Sequence, residues 1–210
     1  MIAIIDYGVG NLFSLKSSFA QIGSEAVVTS DPEVIAKADR LILPGVGAFE
    51  DAAKKLRLSG LDQVILRETA QGKPLLGICL GMQMLFEKSF EYGEHDGLGL
   101  IKGSIRPIRN ERNVHLKIPH IGWNQLQFGE KKDELFRYIQ EGDCVYFVHS
   151  YYGTDCAEST IATTEYGEQL TAAVRSGSVW GVQFHPEKSG KVGLAILRAF
   201  CEMEEKQACI

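Results

Sequence analysis

A basic excess, paired cysteines and long apolar runs are all missing from this 210-residue chain. Lys and Arg total 22 against 27 Asp and Glu, a formal net charge of -5, which leaves no basic footprint for nucleic acid or an anionic membrane. No apolar run approaches the ~20 residues of a membrane span. Met1-Ile2-Ala3-Ile4-Ile5-Asp6 has neither the basic start nor the length of a signal peptide, so a cytoplasmic chain is expected. The five cysteines (79, 144, 156, 201 and 209) are odd in number and lack a short paired spacing, which argues against a disulfide framework or a zinc ribbon. No C-x-x-C or H-x-x-x-H pair occurs either; Cys144 and His149 are the conceivable ligands, and both read as core or pocket residues, so no metal is expected. Repeats, linkers and low-complexity tracts are also absent. What remains is 45% hydrophobic and 23% charged, enough for one domain over residues 1–210 that buries roughly 70% of its unfolded surface. Its 22 glycines exceed the usual share of about 7%.

The first half alternates two periods. Ile2 to Ile5 is a short apolar run of strand type, closed by Asp6-Tyr7-Gly8-Val9-Gly10, after which Leu12, Leu15, Phe19 and Ile22 recur at helical spacing. Ala26 to Val28, Leu41 to Leu43 and Pro74 to Ile78 predict three more strands. Helices are expected after Asp31-Pro32, over 50–58 and 61–71, and beyond Cys79 through Met82, Leu85 and Phe86. Such alternation implies parallel strands joined by crossovers, with ligands at the strand carboxyl ends. From about residue 97 the pattern changes to short runs: 104–108, 114–118, 123–128, 144–149, 159–164, 170–174 and 179–184. These predict strands, partly antiparallel, that extend or attach to the same sheet, followed by a last helix over 190–203. The fold class is therefore α/β, a single-domain doubly wound and mostly parallel sheet with helices on both faces and additional antiparallel strands.

Gly77-Ile78-Cys79-Leu80-Gly81 is the sharpest chemical signal. A nucleophile on a tight strand-to-helix turn needs small residues two positions either side, because backbones crowd there. The helix that follows would direct its positive end at the thiol and favour the thiolate, and the Leu80 N–H would face a developing oxyanion. The competing reading is a buried cysteine in a glycine-rich chain. His185-Pro186-Glu187 follows an apolar run directly; in extended backbone, positions i and i+2 point to one side, so the carboxylate can orient the imidazole. A lone loop histidine is the bland alternative. Together, cysteine, histidine and carboxylate fit the roles of a nucleophile, a base and an orienting group. Pro44-Gly45-Val46-Gly47 could give a second N–H to the same oxyanion or be an ordinary turn. Gly8-Val9-Gly10 partly matches a dinucleotide fingerprint, but the third glycine position is Phe13, so cofactor binding is not expected.

These residues resemble the class I glutamine amidotransferases, whose two diagnostic segments are matched in order by 77–83 (Gly-Ile-Cys-Leu-Gly-Met-Gln) and by His185-Pro186-Glu187. Within that family the chain is most similar to the glutaminases of imidazole glycerol phosphate synthesis, nearly end to end, through segments 6–12, 43–49, 119–124 and 148–152. The resemblance implies that Cys79, His185 and Glu187 hydrolyse glutamine without a cofactor, with an oxyanion site formed by Leu80 and the loop Gly45, Val46 and Gly47. It further implies that Gln83, Glu91, Ser150 and Tyr151 bind glutamine. A separate (β/α)₈-barrel cyclase subunit would receive the ammonia, with Pro119, Trp123 and Asn124 facing it in a heterodimer. Without the resemblance Trp123 reads as a core residue. Two other readings are a glutaminase serving another acceptor and a non-catalytic regulatory subunit of the same fold.

Overall fold

A computed structural model describes residues 1–109 and 116–203. Its first half runs β1 (Ile2–Ile5), α1 (Leu12–Gln21), β2 (Ala26–Thr29), α2 (Pro32–Lys37), β3 (Arg40–Leu43), α3 (Phe49–Leu58), α4 (Leu61–Ala70), β4 (Leu75–Ile78) and α5 (Leu80–Met84). There follow β5 (Phe86–Ser89), β6 (His95–Asp96), β7 (Ile101–Pro107), β8 (His120–Gln125), β9 (Gln127–Phe128), β10 (Cys144–His149), β11 (Tyr151–Thr154), β12 (Thr160–Glu165), β13 (Gln169–Ser176), β14 (Val179–Val182) and α6 (Gly190–Cys201). Local chemistry accounts for the helix starts: the Asp31 carboxylate accepts the Glu33 N–H at 2.8 Å, and Pro32 occupies the first turn of α2, where its missing N–H costs nothing.

The main sheet has the order β2-β1-β3-β4-β14-β13-β12-β9, parallel from β2 to β14 and antiparallel beyond. Because strand side chains alternate, each central strand feeds two cores. Ala3, Ile5, Leu41 and Leu43 meet Ile35 of α2, Phe49 and Leu56 of α3 and Ile65 of α4. Ile2, Ile4, Ile42 and Ile78 meet Leu15 and Phe19 of α1 and Ile196, Leu197 and Phe200 of α6. Each such side chain, fully removed from water, stabilises by about 1.5–3 kcal/mol, so both faces must be covered. Helices on both faces of a largely parallel sheet are thus what the apolar runs require.

The second half departs from expectation in its sheets. Only β9, β12, β13 and β14 extend the main sheet; β8 pairs with β10 in a two-stranded sheet, and β11-β7-β5-β6 form a four-stranded one. Phe86, Ile101 and Ile105 put the latter in the α3 and α4 core, whereas Val145 and Phe147 put β10 in the opposite core. The small sheets therefore cover opposite faces, and the chain passes from one to the other at His149-Ser150-Tyr151. Three strands, β5, β6 and β11, lie where the sequence predicts none, and Phe86 opens β5 instead of continuing α5. In the run 114–118, Val114 and His115 lie outside the described residues and 116–118 is not a strand; Cys209 also lies outside them. No described helix is long and apolar enough to cross a membrane.

Candidate active site

Cys79 sits between β4 and α5 with φ 56° and ψ -114°, a conformation that costs a non-glycine residue about 1–3 kcal/mol. The surrounding contacts hold it there. Its N–H donates to the Val182 carbonyl at 2.8 Å, and the Gln83 N–H donates to the Cys79 carbonyl at 3.2 Å. The flanking glycines are sterically required. A Cβ on Gly77 would stand 2.8 Å from the Gly81 carbonyl oxygen, and one on Gly81 would collide with the Leu43 carbonyl. One on Gly45 would stand 2.7 Å from the Gly81 N, so the 45–47 loop is packed against the Cys79 turn. Helix α5 is only five residues long, so its field at the thiol comes from the first-turn N–H groups rather than a long aligned dipole.

His185 follows β14 with φ -100° and ψ 96°, held extended by Pro186, which opens a 3₁₀ turn over Pro186–Lys188. Its backbone N–H donates to the Tyr146 carbonyl at 2.9 Å, and the Ser189 hydroxyl donates to its carbonyl at 2.6 Å. The ring Nδ1 stands 2.8 Å from Glu187 Oε1. Burial pushes the imidazolium down, but hydrogen bonding to the Cys79 sulfur and to Glu187, and the charges of both, outweigh it and raise His185 to about 9. Among the described residues, the buried Glu187 Oε2 has no hydrogen-bond partner.

Cys79 and His185 line a cavity of about 550 Å³ together with Val46, Gly47, Leu80, Gln83, Glu91, Ser150, Tyr151 and Pro119. The cavity lies at the carboxyl ends of β3, β4 and β14, which are neighbours in the sheet. Val46 is exposed, and Gly47 has φ 93°, open to glycine without strain. Glu91 is half-buried; its Oε2 accepts the Phe49 N–H at 2.7 Å at the start of α3, and burial raises its carboxyl above the usual range despite that bond. One oxygen of Glu91 therefore anchors the helix that follows the 45–47 loop. Trp123 is exposed on β8, against its composition-based reading as core, with its ring 6.2 Å from that of Tyr146. The half-buried Asn124 spends its amide within the chain, donating to the Glu165 carbonyl at 2.8 Å. Gly8 and Gly10 instead shape a turn whose Tyr7 hydroxyl donates to the Pro44 carbonyl at 2.7 Å, pinning the start of the 45–47 loop. Burial first, and then the Cys79 charge, raises the Tyr7 phenol well above its usual value.

Gln183 was not singled out in the sequence. It is fully buried, its Nε2 lies 3.9 Å from Cys79 Sγ, within the longer reach of sulfur, and its Oε1 accepts from Gln83 Nε2 at 3.0 Å. The available signal was an uncharged polar residue inside the apolar run 180–184, which must find partners once buried. His120 carries no assigned role in the sequence beyond its place in segment 119–124, and His149 reads there as a core or pocket residue. Their rings are 3.0 Å apart, Nδ1 of His120 to Nε2 of His149, and burial lowers both to about 4. No group of three or more potential metal ligands occurs among the described residues.

Comparison with known proteins adds ancestry to this geometry. Residues 3–203 match the family described as glutamine amidotransferase class-I. The chain is 50% identical over 202 residues to a Lactococcus lactis subsp. lactis (strain IL1403) protein named imidazole glycerol phosphate synthase subunit HisH, covering 96% of this chain and 98% of that one. A protein of the same name from Aquifex aeolicus (strain VF5) is 49% identical over 205 residues, covering 97% of each. A solved structure described as a glutamine amidotransferase is alike in fold, with a TM-score of 0.73 at 21% identity, covering 96% of this chain and 98% of that one. The chain belongs to the glutamine amidotransferase class-I family.

Proposed function

We propose that this chain is the glutaminase subunit of a cytoplasmic imidazole glycerol phosphate synthase, hydrolysing glutamine to glutamate and ammonia for histidine biosynthesis. The observation that carries the reading is Cys79 and His185 on one cavity, with Glu187 2.8 Å from the His185 ring, in a chain half identical to proteins named for that synthase. In the mechanism, His185 takes the Cys79 proton, and the resulting thiolate then attacks the side-chain amide carbon of glutamine. The Leu80 N–H and an N–H of the 45–47 loop hold the tetrahedral oxyanion. Collapse expels ammonia with the proton from His185 and leaves a γ-glutamyl thioester. Water, deprotonated by His185, then releases glutamate and restores the thiol. Glu187 keeps the imidazole oriented and stabilises its cationic form.

Gln83, Glu91, Ser150 and Tyr151 form the wall that would receive the amino-acid end of glutamine. The ammonia passes to a separate (β/α)₈-barrel cyclase subunit, which makes imidazole glycerol phosphate and aminoimidazole carboxamide ribotide. Exposed Trp123 and Ile121 on β8, together with exposed Pro119, suit the docking of that partner. The Gly45–Gly47 loop supplies the control: a peptide rotation at Gly47 sets whether its N–H faces the oxyanion, and cyclase loading favours the productive setting. The test is ammonia release from glutamine by wild type and Cys79→Ala, with and without the cyclase. Release by wild type that rises with the cyclase and vanishes in the variant is expected. Undiminished release by Cys79→Ala would overturn the mechanism, and full activity without the cyclase would overturn the gating.

A further inference from the structure

A run of buried polar groups joins β8 to the nucleophile, and its hydrogen bonds have a defined direction. The Tyr151 carbonyl can only accept, so His149 Nδ1, 2.9 Å away, carries the proton. His149 is neutral, and its Nε2 must therefore accept from His120 Nδ1 at 3.0 Å. His120 is neutral in turn, which leaves its Nε2 to accept from the Asn124 amide at 3.3 Å. That amide's other hydrogen goes to the Glu165 carbonyl. On the far side, the Tyr151 carbonyl also accepts from Gln83 Nε2 at 3.1 Å; Gln83 Nε2 donates to Gln183, whose own amide reaches Cys79 Sγ.

Each N–H hydrogen in the run has its own acceptor and every acceptor has at least one donor, so flipping a ring or amide in the middle would leave buried groups unpaired. That costs about 1–3 kcal/mol per group, enough to keep one arrangement dominant. The pairing is built into the sheet: His120 and His149 are directly opposite in the β8 and β10 register. The His120 ring is clamped between those of Phe147 at 4.9 Å and Tyr166 at 4.0 Å, both near parallel to it. Two residues from His149, Tyr151 lines the cavity where glutamine is expected.

We propose that His120 and His149 form a tautomer-locked positioning pair for the glutaminase reaction, tying β8 to the Tyr151 carbonyl and through Gln83 and Gln183 to the Cys79 sulfur. Neither histidine exchanges a proton with substrate; the pair fixes where the Tyr151 carbonyl and the Gln83 amide stand. The inference rests on the glutaminase reading above and extends it to how β8 is coupled to the pocket.

The experiment uses the chain assembled with its cyclase, with wild type, His120→Asn and His120→Leu assayed for glutamine kcat and KM. Asn can place an N–H near the position of Nδ1, and Leu cannot. His120→Leu is expected to lower kcat/KM about tenfold, chiefly through KM, and His120→Asn to stay within about threefold of wild type. A second readout is independent of turnover: long-range ¹H–¹⁵N spectra of the histidine rings at neutral pH should report both His120 and His149 as neutral Nδ1–H tautomers. Spectra showing the Nε2–H form at either ring would overturn the proposal. So would a His120→Leu complex with wild-type KM, or equal loss in the Asn and Leu variants. A wild-type complex that releases no ammonia would instead overturn the glutaminase reading, while the spectra would still report on the pair.

Discussion

His149 and His185 line the same cavity, yet their surroundings drive them in opposite directions. His185, after the last parallel strand, faces a sulfur and a carboxylate and is raised to about 9. His149, in the small β8 and β10 sheet, faces a carbonyl and another neutral imidazole, and burial lowers it to about 4. Burial opposes the cation in both places; only the anionic partners of His185 reverse it. Under the proposed mechanism the difference separates two jobs on one wall, a proton carrier on the main sheet and a fixed scaffold on the accessory sheet.

The largest way to break the contrast is to remove the proton carrier. His185→Asn should lower kcat for glutamine hydrolysis about 10²–10⁴-fold, as measured by ammonia release, with folding retained. Next comes the turn that presents the nucleophile: Gly81→Ala forces a methyl into the Leu43 carbonyl and should destabilise the chain by about 3 kcal/mol, read from chemical denaturation. Glu187→Gln takes away one of the anionic partners, so the His185 imidazole should titrate closer to its ordinary 6.5, visible by NMR titration.

The last comparison is the pH dependence of stability, which has opposite signs in the two regions. His185 binds its proton more tightly folded than unfolded, so its contribution is complete below pH 6.5 and is lost as pH rises toward about 9. His120 and His149 bind theirs more weakly folded, so their contribution is present above pH 6.5 and is lost as pH falls toward about 4. Melting temperature measured across pH should therefore fall on both sides, with His149→Asn flattening only the acid side.

The parallel half was legible because its inner strands β1, β3 and β4 are buried on both faces and read as apolar runs leading into glycine-bearing turns, as with Ile2 to Ile5 before Gly8. The Cys79 turn was legible for a related reason: Gly77 and Gly81 are dictated by backbone crowding, which leaves a mark in sequence. The accessory strands left none. Phe86–Ser89 buries only its first and last residues, and Phe86 also continues the helical spacing of Met82 and Leu85. β6 has two residues, and only Ser150 separates β11 from β10, with its partner β7 far back in the chain. The His120 and His149 contact is likewise invisible to local pattern, since the two residues are 29 positions apart and meet only through the β8 and β10 register. Gln183 was hidden by lying in an apolar run. The remaining pocket residues, and those proposed to face a partner, rest on the resemblance to a known family, because no spacing marks them.

The central claim, that Cys79 attacks glutamine with His185 as its base, is tested most directly by acid-quenching the cyclase-bound chain during turnover and mapping acylated peptides by mass spectrometry. The account predicts a γ-glutamyl thioester on the peptide containing Cys79, absent from Cys79→Ala. Ammonia release with no adduct at Cys79, or with the adduct on another cysteine, would contradict it.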